Sequence, residues 1–256
     1  MSPLWRDHVS AGLFPGCFWL EGRRAVVQHA IQAEPSIDTS TLLRGLETML
    51  DERVDVLRKG SPLTLIVSDS IAATILLPWQ ENLYRQAELE TYARLCFEKK
   101  GLTVDDKWIV RTAAHHYRAP GFAYALPRDW VNELLQAVAS RGLQLKRVLP
   151  VSAAAFCGQR ISRKKGRTLL LLREKLRTSA LTYSEGRFQG VDVEPSTASG
   201  HSPYIRLLRR IVGSPDDFVR CFDWSSEVPE SVKPISGSSL CLPNAEIHLL
   251  RRNVWS

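Results

Sequence analysis

The sequence predicts an α/β protein of two lobes, each with a mixed β-sheet flanked by helices. Three observations support this class. The chain has 256 residues, 44% of them hydrophobic, which is enough to build one large domain or two lobes. Strand-like apolar runs alternate with helical patterns, and the order hairpin, helix, strand occurs twice. We therefore expect a first lobe over residues 1–152, with an inserted strand–helix subdomain, and a shorter second lobe over 153–256 with an irregular tail.

The first lobe begins with a predicted hairpin over residues 14–31, where two apolar runs flank Glu21 and Gly22. Leucines at helical spacing then predict a helix from the segment SIDTST to Gly60. Two short apolar runs follow, PLTLIVSD and AATILLPW, and both predict strands.

The inserted region begins with a predicted helix that ends at Gly101, a natural C-cap. Strands are predicted over residues 107–116 and 121–127, paired across YRAPG. The next helix has Asp129 as its predicted N-cap and ends at Gly142, and residues 145–156 then predict a strand and a short helix.

The second lobe opens with residues 166–191, which predict one apolar strand, a Ser-Glu-Gly turn and a return strand. A helix over 202–213 and a strand over 217–224 follow. The remaining residues are rich in Ser and Pro and look irregular, apart from EIHLL at 246–250.

Composition favours a cytoplasmic protein. The longest apolar runs are far shorter than the roughly 20 residues that a membrane helix needs, and the first residues lack a signal-peptide core. The cysteines are odd in number and scattered, without CxxC or Cys/His spacing, so reduced and mostly buried thiols are expected. They are Cys17, Cys96, Cys157, Cys221 and Cys241.

The net charge of +7 is concentrated in short basic clusters. Such clusters suit an acidic partner, an anionic membrane surface or nucleic acid, although a solvated connection also explains the first of them. The candidate contact residues are Arg160, Arg163, Lys164, Lys165, Arg167, Arg206, Arg209 and Arg210.

The chain lacks the usual signals of catalysis. It has no P-loop, no GxGxxG and no GxSxG motif. His115 and His116 are adjacent in a predicted strand and so point to opposite faces, which does not suit a shared metal. Ribonuclease H-type nucleases need several clustered carboxylates, but the acids here are scattered. No catalytic, metal or cofactor-binding residue is predicted, and the aromatics are expected in the core or at lobe contacts. The acids are Glu21, Asp69, Glu174 and Glu185, and the aromatics Phe18, Trp19, Trp79, Trp108 and Trp130.

Two longer segments resemble a known family. Residues 63–102 give a strand, a Ser-containing turn, a strand closed by Pro78 and a helix. Residues 121–156 give a strand, a long helix, the passage RGLQLKRVLP and a small-residue helix. This arrangement resembles the actin-like assembly proteins of type IV pili and type II secretion, namely the pilus M protein and the cytoplasmic part of the secretion L protein. The resemblance covers about residues 14–190 and implies a ribonuclease H-like (actin-like ATPase) fold.

The resemblance also implies where nucleotide would bind. Actin-like ATPases carry an Asp-x-Gly in the first hairpin of each lobe, where glycine lets the backbone approach the phosphates. Here the first location reads FPGCFWLEG, without an aspartate before the turn, and the second has Arg173, Glu174 and Lys175 in the place of Asp-x-Gly. We therefore expect a degenerate nucleotide site and no ATP hydrolysis.

The predicted function is a non-enzymatic cytoplasmic scaffold of a type IV pilus or type II secretion assembly platform. It would bind a bitopic inner-membrane partner, link it to the assembly motor ATPase and meet anionic lipid through its basic clusters. Its predicted location is peripheral to the inner membrane, through partners, and no cofactor is expected. The segment EIHLL loosely resembles the Asn-Leu-Leu segment of the secretion family and would pair with a sheet edge, in its own chain or in a neighbour. Two alternatives remain: a nucleic-acid-binding protein or nuclease of the same fold, and an ATPase with unorthodox phosphate turns.

Overall fold

The fold is given by a computed structural model. It describes residues 9–22, 25–29, 38–52, 57–114, 117–158, 167–195, 207, 210–211, 219–226 and 246–250.

The described residues form a mixture of strands and helices, beginning with three strands in succession. The strands are β1 Val9–Phe14, β2 Cys17–Gly22, β3 Ala25–His29, β4 Pro62–Val67, β5 Ala73–Leu77, β6 Trp108–Ala113, β7 Gly121–Pro127, β8 Gln144–Pro150, β9 Arg167–Arg173, β10 Arg177–Ser184, β11 Arg187–Pro195, β12 Val219–Ser225 and β13 Glu246–Leu250. The helices are α1 Thr39–Asp51, α2 Gln86–Lys99, α3 Arg128–Ser140 and α4 Val151–Gly158.

The first five-stranded sheet has the order β3-β2-β1-β4-β8. Strands β1 to β3 form an antiparallel meander, while β4 runs parallel to β1 and β8 parallel to β4. Nearly every residue of β1 and β4 is buried, as expected for central strands covered on both faces.

The second five-stranded sheet has the order β11-β10-β9-β12-β13. It repeats the first sheet through its first four positions, with an antiparallel meander β9 to β11 and with β12 parallel to β9. The fifth position differs, because β13 runs antiparallel to β12. The predicted mixed sheets and α/β class are confirmed.

Both predicted hairpins contain one strand more than the sequence indicated. Strand β1, Val9–Phe14, precedes the first predicted hairpin. It was not predicted because its small and polar residues give little apolar pattern. Residues 166–191 form three strands instead of two, because the charged stretch after Arg173 is itself a turn. The predicted pairing of EIHLL with a sheet edge is found within the same chain, as β13 on β12.

Two helix boundaries also differ from the prediction. Helix α1 begins after its N-cap Asp38, whose carboxylate accepts from the Ser40 amide, but it ends at Asp51 and not at Gly60. Helix α3 begins at Arg128 after Pro127, so that Asp129 lies in the first turn and is not the N-cap. Proline before a helix has a fixed φ and no N–H to satisfy, which allows the earlier start.

A small sheet of order β5-β7-β6 carries helix α2. Gly101 ends this helix with φ +76°, as its sequence position predicted. Arg94 fixes the connection that follows by donating to the backbone oxygens of Val104 and Asp105, at 2.8 and 2.6 Å. In the described part of the chain, no helix has both the length and the apolar character needed to cross a membrane.

Proximity of Cα atoms divides the chain into two compact units. The small sheet and α2 group with the second unit, and the first unit holds the first five-stranded sheet with α1 and α3. The predicted domain division near residue 152 stays a prediction, because compactness alone does not assign the inserted region to a lobe. The first unit comprises Met1–Ala72, Lys107–Ile109 and Leu126–Val151, and the second comprises Ala73–Asp106, Val110–Ala125 and Ser152–Ser256.

Helix α1 packs closely on the first sheet through a glycine. The ring of Phe18, only 1% exposed, lies so close to Gly45 that a Cβ at that position would overlap it. Helix α3 is tied to the same region by Trp130, whose indole N–H donates to the Thr39 backbone oxygen at 3.2 Å. The close approach of α1 therefore depends on the absence of a side chain at residue 45.

We expect Gly45→Ala to destabilise the protein, although alanine is the better helix former. The helix gains up to about 1 kcal/mol, but overlap with a packed ring costs about 1–3 kcal/mol. Urea unfolding measures the difference, with Arg44→Ala on the exposed side of α1 as the control, expected within about 0.5 kcal/mol of the parent. Adding Phe18→Leu to Gly45→Ala should cost less than the sum of the two. A stabilised Gly45→Ala protein would contradict this packing.

An ion pair joins the last residue of α1 to the residue after α3. The Arg141 guanidinium donates from Nε to Asp51 Oδ1 at 2.6 Å and from Nη2 to Asp51 Oδ2 at 2.7 Å. This hydrogen bonding lowers the pKa of the Asp51 carboxyl from its ordinary value. Asp51 is exposed, so solvent and salt weaken the pair.

The pair predicts a pH-dependent stability. Because the pKa of Asp51 is lower in the folded state, its contribution is present above the unfolded value of about 3.9 and is lost as the pH falls through the folded value. Asp51→Asn should therefore lower the melting temperature modestly at pH 7 and lose this effect towards pH 3. Circular dichroism melts measure it, with the exposed Glu98→Gln as control. An effect of Asp51→Asn that does not change with pH would exclude the ion pair as its cause.

Candidate functional site

The first candidate element is the turn between β1 and β2. Strands β1 and β4 are parallel, so their carboxyl ends meet, and the Ser68 amide donates to the Leu13 oxygen there at 3.0 Å. Phe14 pairs with Cys17, which leaves Pro15 and Gly16 as a two-residue loop. Gly16 has φ +79°, and proline followed by such a glycine is typical of a type II turn.

The second candidate element is the turn between β9 and β10. The parallel strands β9 and β12 meet at their carboxyl ends, where the Ser226 amide donates to the Arg173 oxygen at 2.9 Å. The Glu174 amide donates to the Arg177 oxygen at 2.8 Å, and this bond closes the loop around Lys175 and Leu176.

The hydrogen bonds make the two turns equivalent position by position. In the first sheet the bond runs from Ser68, the residue after β4, to Leu13 on the parallel strand β1. In the second sheet the matching bond runs from Ser226, the residue after β12, to Arg173 on the parallel strand β9. Lys175 and Leu176 therefore occupy the places of Pro15 and Gly16. The sequence could not show this correspondence, because the two turns share no residue type.

Neither turn contains the residues of an Asp-x-Gly turn. The first has no carboxylate and, at Pro15, no backbone N–H to donate. The second carries side chains on both loop residues, and Lys175 is exposed. Glu174 is 5% exposed, so its carboxylate is buried beside the sheet. Backbone approach by a phosphate needs open N–H groups and glycine, and these turns provide one glycine between them.

The carboxylates considered for a metal site lie on different elements of the fold. Asp69 is fully buried at the end of β4, where its backbone oxygen accepts from the Ala72 amide at 3.3 Å. Glu185 lies in the loop between β10 and β11, with φ +51° followed by Gly186 at +76°, as in a type I′ hairpin. Glu21 lies on β2. Across the residues that the structure describes, no group of three or more His, Cys, Asp or Glu is placed to hold a metal ion.

Sequence reasoning missed a buried polar patch beside the second turn. Ser179 and Ser226 are 0% and 1% exposed, and neither hydroxyl has a hydrogen-bond partner among the described residues. Strand register puts them on one face of the sheet together with Glu174 and Arg177. The signal in the sequence was that Arg177 and Ser179, two residues apart and so on the same face of β10, are polar, whereas the next residue on that face, Leu181, is apolar.

The predicted basic contact residues lie mostly outside the described part of the chain. This holds for Arg160, Arg163, Lys164, Lys165, Arg206 and Arg209. Arg167 is exposed at the start of β9, and its Nη1 donates to the Ile211 oxygen at 3.5 Å.

Arg210 is already engaged within the chain. It pairs with Asp192 at 3.5 Å and Glu194 at 3.2 Å, and it also donates to the Val193 oxygen at 3.1 Å. Its side chain is half exposed, so the guanidinium contacts solvent as well as the acids of β11.

The aromatic residues divide into a core set and a surface pair. Phe18, Trp19 and Trp130 are buried, as the sequence predicted. Trp79 instead lies edge-on to Tyr117, with ring centroids 5.0 Å apart, and Tyr117 is 67% exposed. Trp108 is half-buried.

The cysteine and histidine predictions are tested only in part. Cys17 and Cys96 are buried thiols, as expected, whereas Cys157 is exposed. The side chains of Cys221 and Cys241, and both His115 and His116, lie outside the described residues.

The sequence matches no protein-family model and no curated protein. The fold does match solved structures. One is the PilM–PilN type IV pilus biogenesis complex, at 15% identity and TM-score 0.54, covering 83% of this chain and 67% of that one. Another is a Bacteroides thetaiotaomicron protein described as having an actin-like ATPase fold and unknown function, at 11% identity and TM-score 0.53, covering 81% and 76%. A third is the cytoplasmic domain of EpsL, an inner-membrane component of the Vibrio cholerae type II secretion system, at 13% identity and TM-score 0.46, covering 73% and 71%.

These similarities establish the class of fold. The chain has the actin-like ATPase fold, as its sequence predicted. Its solved structural neighbours include the pilus and secretion proteins that the sequence resembles.

The two turns should respond differently to substitution. Gly16→Ala places a Cβ in the left-handed region, which costs about 1–2 kcal/mol, whereas Gly16→Asn should cost less because asparagine tolerates this region. Lys175→Ala in the equivalent turn is exposed and should stay within about 0.5 kcal/mol of the parent. Chemical denaturation measures all three. Equal losses for Gly16→Ala and Gly16→Asn would show that backbone conformation is not the cause.

Proposed function

We propose that this chain is a non-enzymatic scaffold of a type IV pilus or type II secretion assembly platform, on the cytoplasmic face of the inner membrane. In this role it binds a bitopic membrane protein and links it to the assembly motor. The observation that carries the proposal is the pair of equivalent hairpin turns, which keep their place in an actin-like fold without the Asp-x-Gly residues of an ATPase.

The chemistry of the turns favours a scaffold over an ATPase. Phosphoryl transfer needs positioned backbone donors for the phosphates and a carboxylate that works through metal and water. The first turn presents Phe14, Pro15 and Gly16, and the second presents Lys175 and Leu176. For a chain with this fold and without these groups, we infer a function in binding other proteins through its surface.

One structural neighbour favours a protein partner. The PilM structure is a complex with PilN, so a protein of this fold assembles with another component of a pilus machine. For this chain we infer an equivalent partner with a short cytoplasmic segment. The proposed lobes are residues 1–152 and 153–256.

The basic clusters supply the proposed contact with acidic surfaces. Residues 160–167 carry five Lys or Arg within eight residues. Opposite charge across an interface raises the association rate and fixes orientation, and basic segments also approach anionic lipid. Acidic surfaces of the motor or lipid headgroups of the inner membrane fit this charge.

The first arm of the test separates scaffold from ATPase. We expect the melting temperature of the purified protein to stay unchanged when ATP and magnesium are added, because a ligand stabilises a fold only when it binds the native state. A clear rise with ATP would contradict the loss of the nucleotide site.

The second arm tests the partner. A bitopic protein of the same assembly platform should co-purify with this chain, and substituting the four residues Arg160, Arg163, Lys164 and Lys165 by serine should weaken binding to that protein or to vesicles with anionic lipid. Lys99→Ser with Lys100→Ser, at exposed positions where α2 ends, is the matched control. Failure to bind any platform component, or tight binding of single-stranded DNA or RNA that weakens steeply with salt, would favour the nucleic-acid alternative.

A further inference from the structure

Two loops with exposed aromatic side chains lie at one end of the small sheet. Leu77, the last residue of β5, pairs with Gly121, the first residue of β7, so the loop after β5 and the loop before β7 leave the sheet at the same end. The rings of Trp79 and Tyr117, one from each loop, are in contact, with centroids 5.0 Å apart. The two loops therefore form one surface. We call it the aromatic end, and it comprises residues 78–85 and 117–120.

A second tyrosine lies at the aromatic end. The Gln86 side-chain amide donates to Thr112 Oγ1 at 3.3 Å, which fixes the start of α2 beside the last residues of β6. The backbone amides of Tyr84 and Arg85 both donate to Glu88 Oε2, at 3.4 and 3.2 Å. Tyr84 is therefore presented from a loop that hydrogen bonds hold in place.

The aromatic end exposes side chains of the types that bind other proteins. Tyr84 and Tyr117 are 71% and 67% exposed, the highest values for large hydrophobic side chains among the described residues. Arg118 is also exposed, with its Cζ atom 5.4 Å from the centroid of the Tyr117 ring. Trp, Tyr and Arg carry most of the binding energy at protein interfaces. An exposed cluster of these types indicates an interaction surface.

Both loops contain a residue in the left-handed region of backbone conformation. Asn82 has φ +68° and Arg118 has φ +58°. Asparagine tolerates this region, but arginine rarely adopts it, because its Cβ comes too close to the following carbonyl oxygen. Strained residues of this kind concentrate at functional sites. The strain at Arg118 supports the assignment of a binding function to this loop.

The charges of the aromatic end indicate what it binds. Arg85 and Arg118 are exposed, and within the described part of the chain neither forms an ion pair. A guanidinium that lies on an aromatic ring keeps its edge open to donate two parallel hydrogen bonds to a carboxylate. We propose that the aromatic end binds an extended acidic segment of a partner protein, which also carries aromatic or proline residues.

The same charges argue against nucleic acid as the occupant. Single-stranded nucleic acid also stacks on exposed aromatic rings, but it needs a positively charged groove that follows its backbone. Here Glu81 is exposed in the first loop, and Glu90 already pairs with the neighbouring Arg111 at 2.8 Å. Two separate guanidinium groups suit individual carboxylates better than a row of phosphates. The inference does not depend on the proposed function, because it concerns residues that the proposed function does not use.

Fluorescence anisotropy with the full chain tests the proposal. The probe is a fluorescent peptide built from repeats of Asp-Glu-Pro-Phe, in which proline favours an extended chain. We expect binding that weakens as salt is added, and a loss of about tenfold or more in affinity for Tyr84→Ala and for Arg118→Gly. Glycine adopts the left-handed conformation freely, so Arg118→Gly should keep the melting temperature of the parent while it loses binding.

Two exposed positions elsewhere supply matched controls. Arg147→Gln on β8 removes a charge and Leu135→Ala on α3 removes an apolar side chain, and both proteins should bind the peptide as the parent does. Glu81→Gln, which removes an acid from the aromatic end, should strengthen binding. Three outcomes would overturn the proposal. They are no binding of the acidic peptide, equal or tighter binding of an oligothymidine or of a peptide with Lys and Arg in place of Asp and Glu, and losses for Tyr84→Ala and Arg118→Gly no larger than those of the controls.

Discussion

Each five-stranded sheet is organised around one pair of parallel strands, β1 with β4 in the first sheet and β9 with β12 in the second, whose carboxyl ends lie side by side. One backbone hydrogen bond marks this meeting in each sheet, from Ser68 to Leu13 and from Ser226 to Arg173. Strands β1 and β9 each begin an antiparallel meander. The turn that follows each of them therefore lies beside the carboxyl end of its parallel neighbour, β4 or β12. The position of the turns is therefore a property of strand order, and it is kept whatever residues occupy the loop. The same strand order accommodates two turns of unrelated sequence.

Most of the strands and helices were predicted from the sequence because apolar runs and the helical spacing of apolar residues were clear. Strand β4 and helix α3 carry apolar residues at the spacing that their structures require, and Gly101 ends α2 where a C-cap was expected. Strand β1 was missed because its serine, alanine and glycine residues give little apolar signal. Its glycine is nevertheless required, since a Cβ at Gly12 would overlap the ring of Trp19.

The candidate site was predictable only in part. The resemblance placed the second location at Arg173, Glu174 and Lys175, beside the β9–β10 turn, but the first hairpin was predicted around Glu21 and Gly22, whereas the β1–β2 turn is formed by Pro15 and Gly16. The equivalence of Lys175 and Leu176 with Pro15 and Gly16 depends on hydrogen bonds between strands distant in sequence, which no local pattern contains. The buried patch of Ser179 and Ser226 likewise depends on the register of three strands, and the engagement of Arg210 depends on the position of β11.

The two turns differ in how freely their residues can be exchanged. Pro15 removes a backbone donor, and Lys175 with Leu176 places side chains on the second turn. Gly16 holds a left-handed φ of +79°, so a side chain at that position is strained. Lys175 and Leu176 have no left-handed φ, so the second turn is the one whose residues can be exchanged without backbone strain.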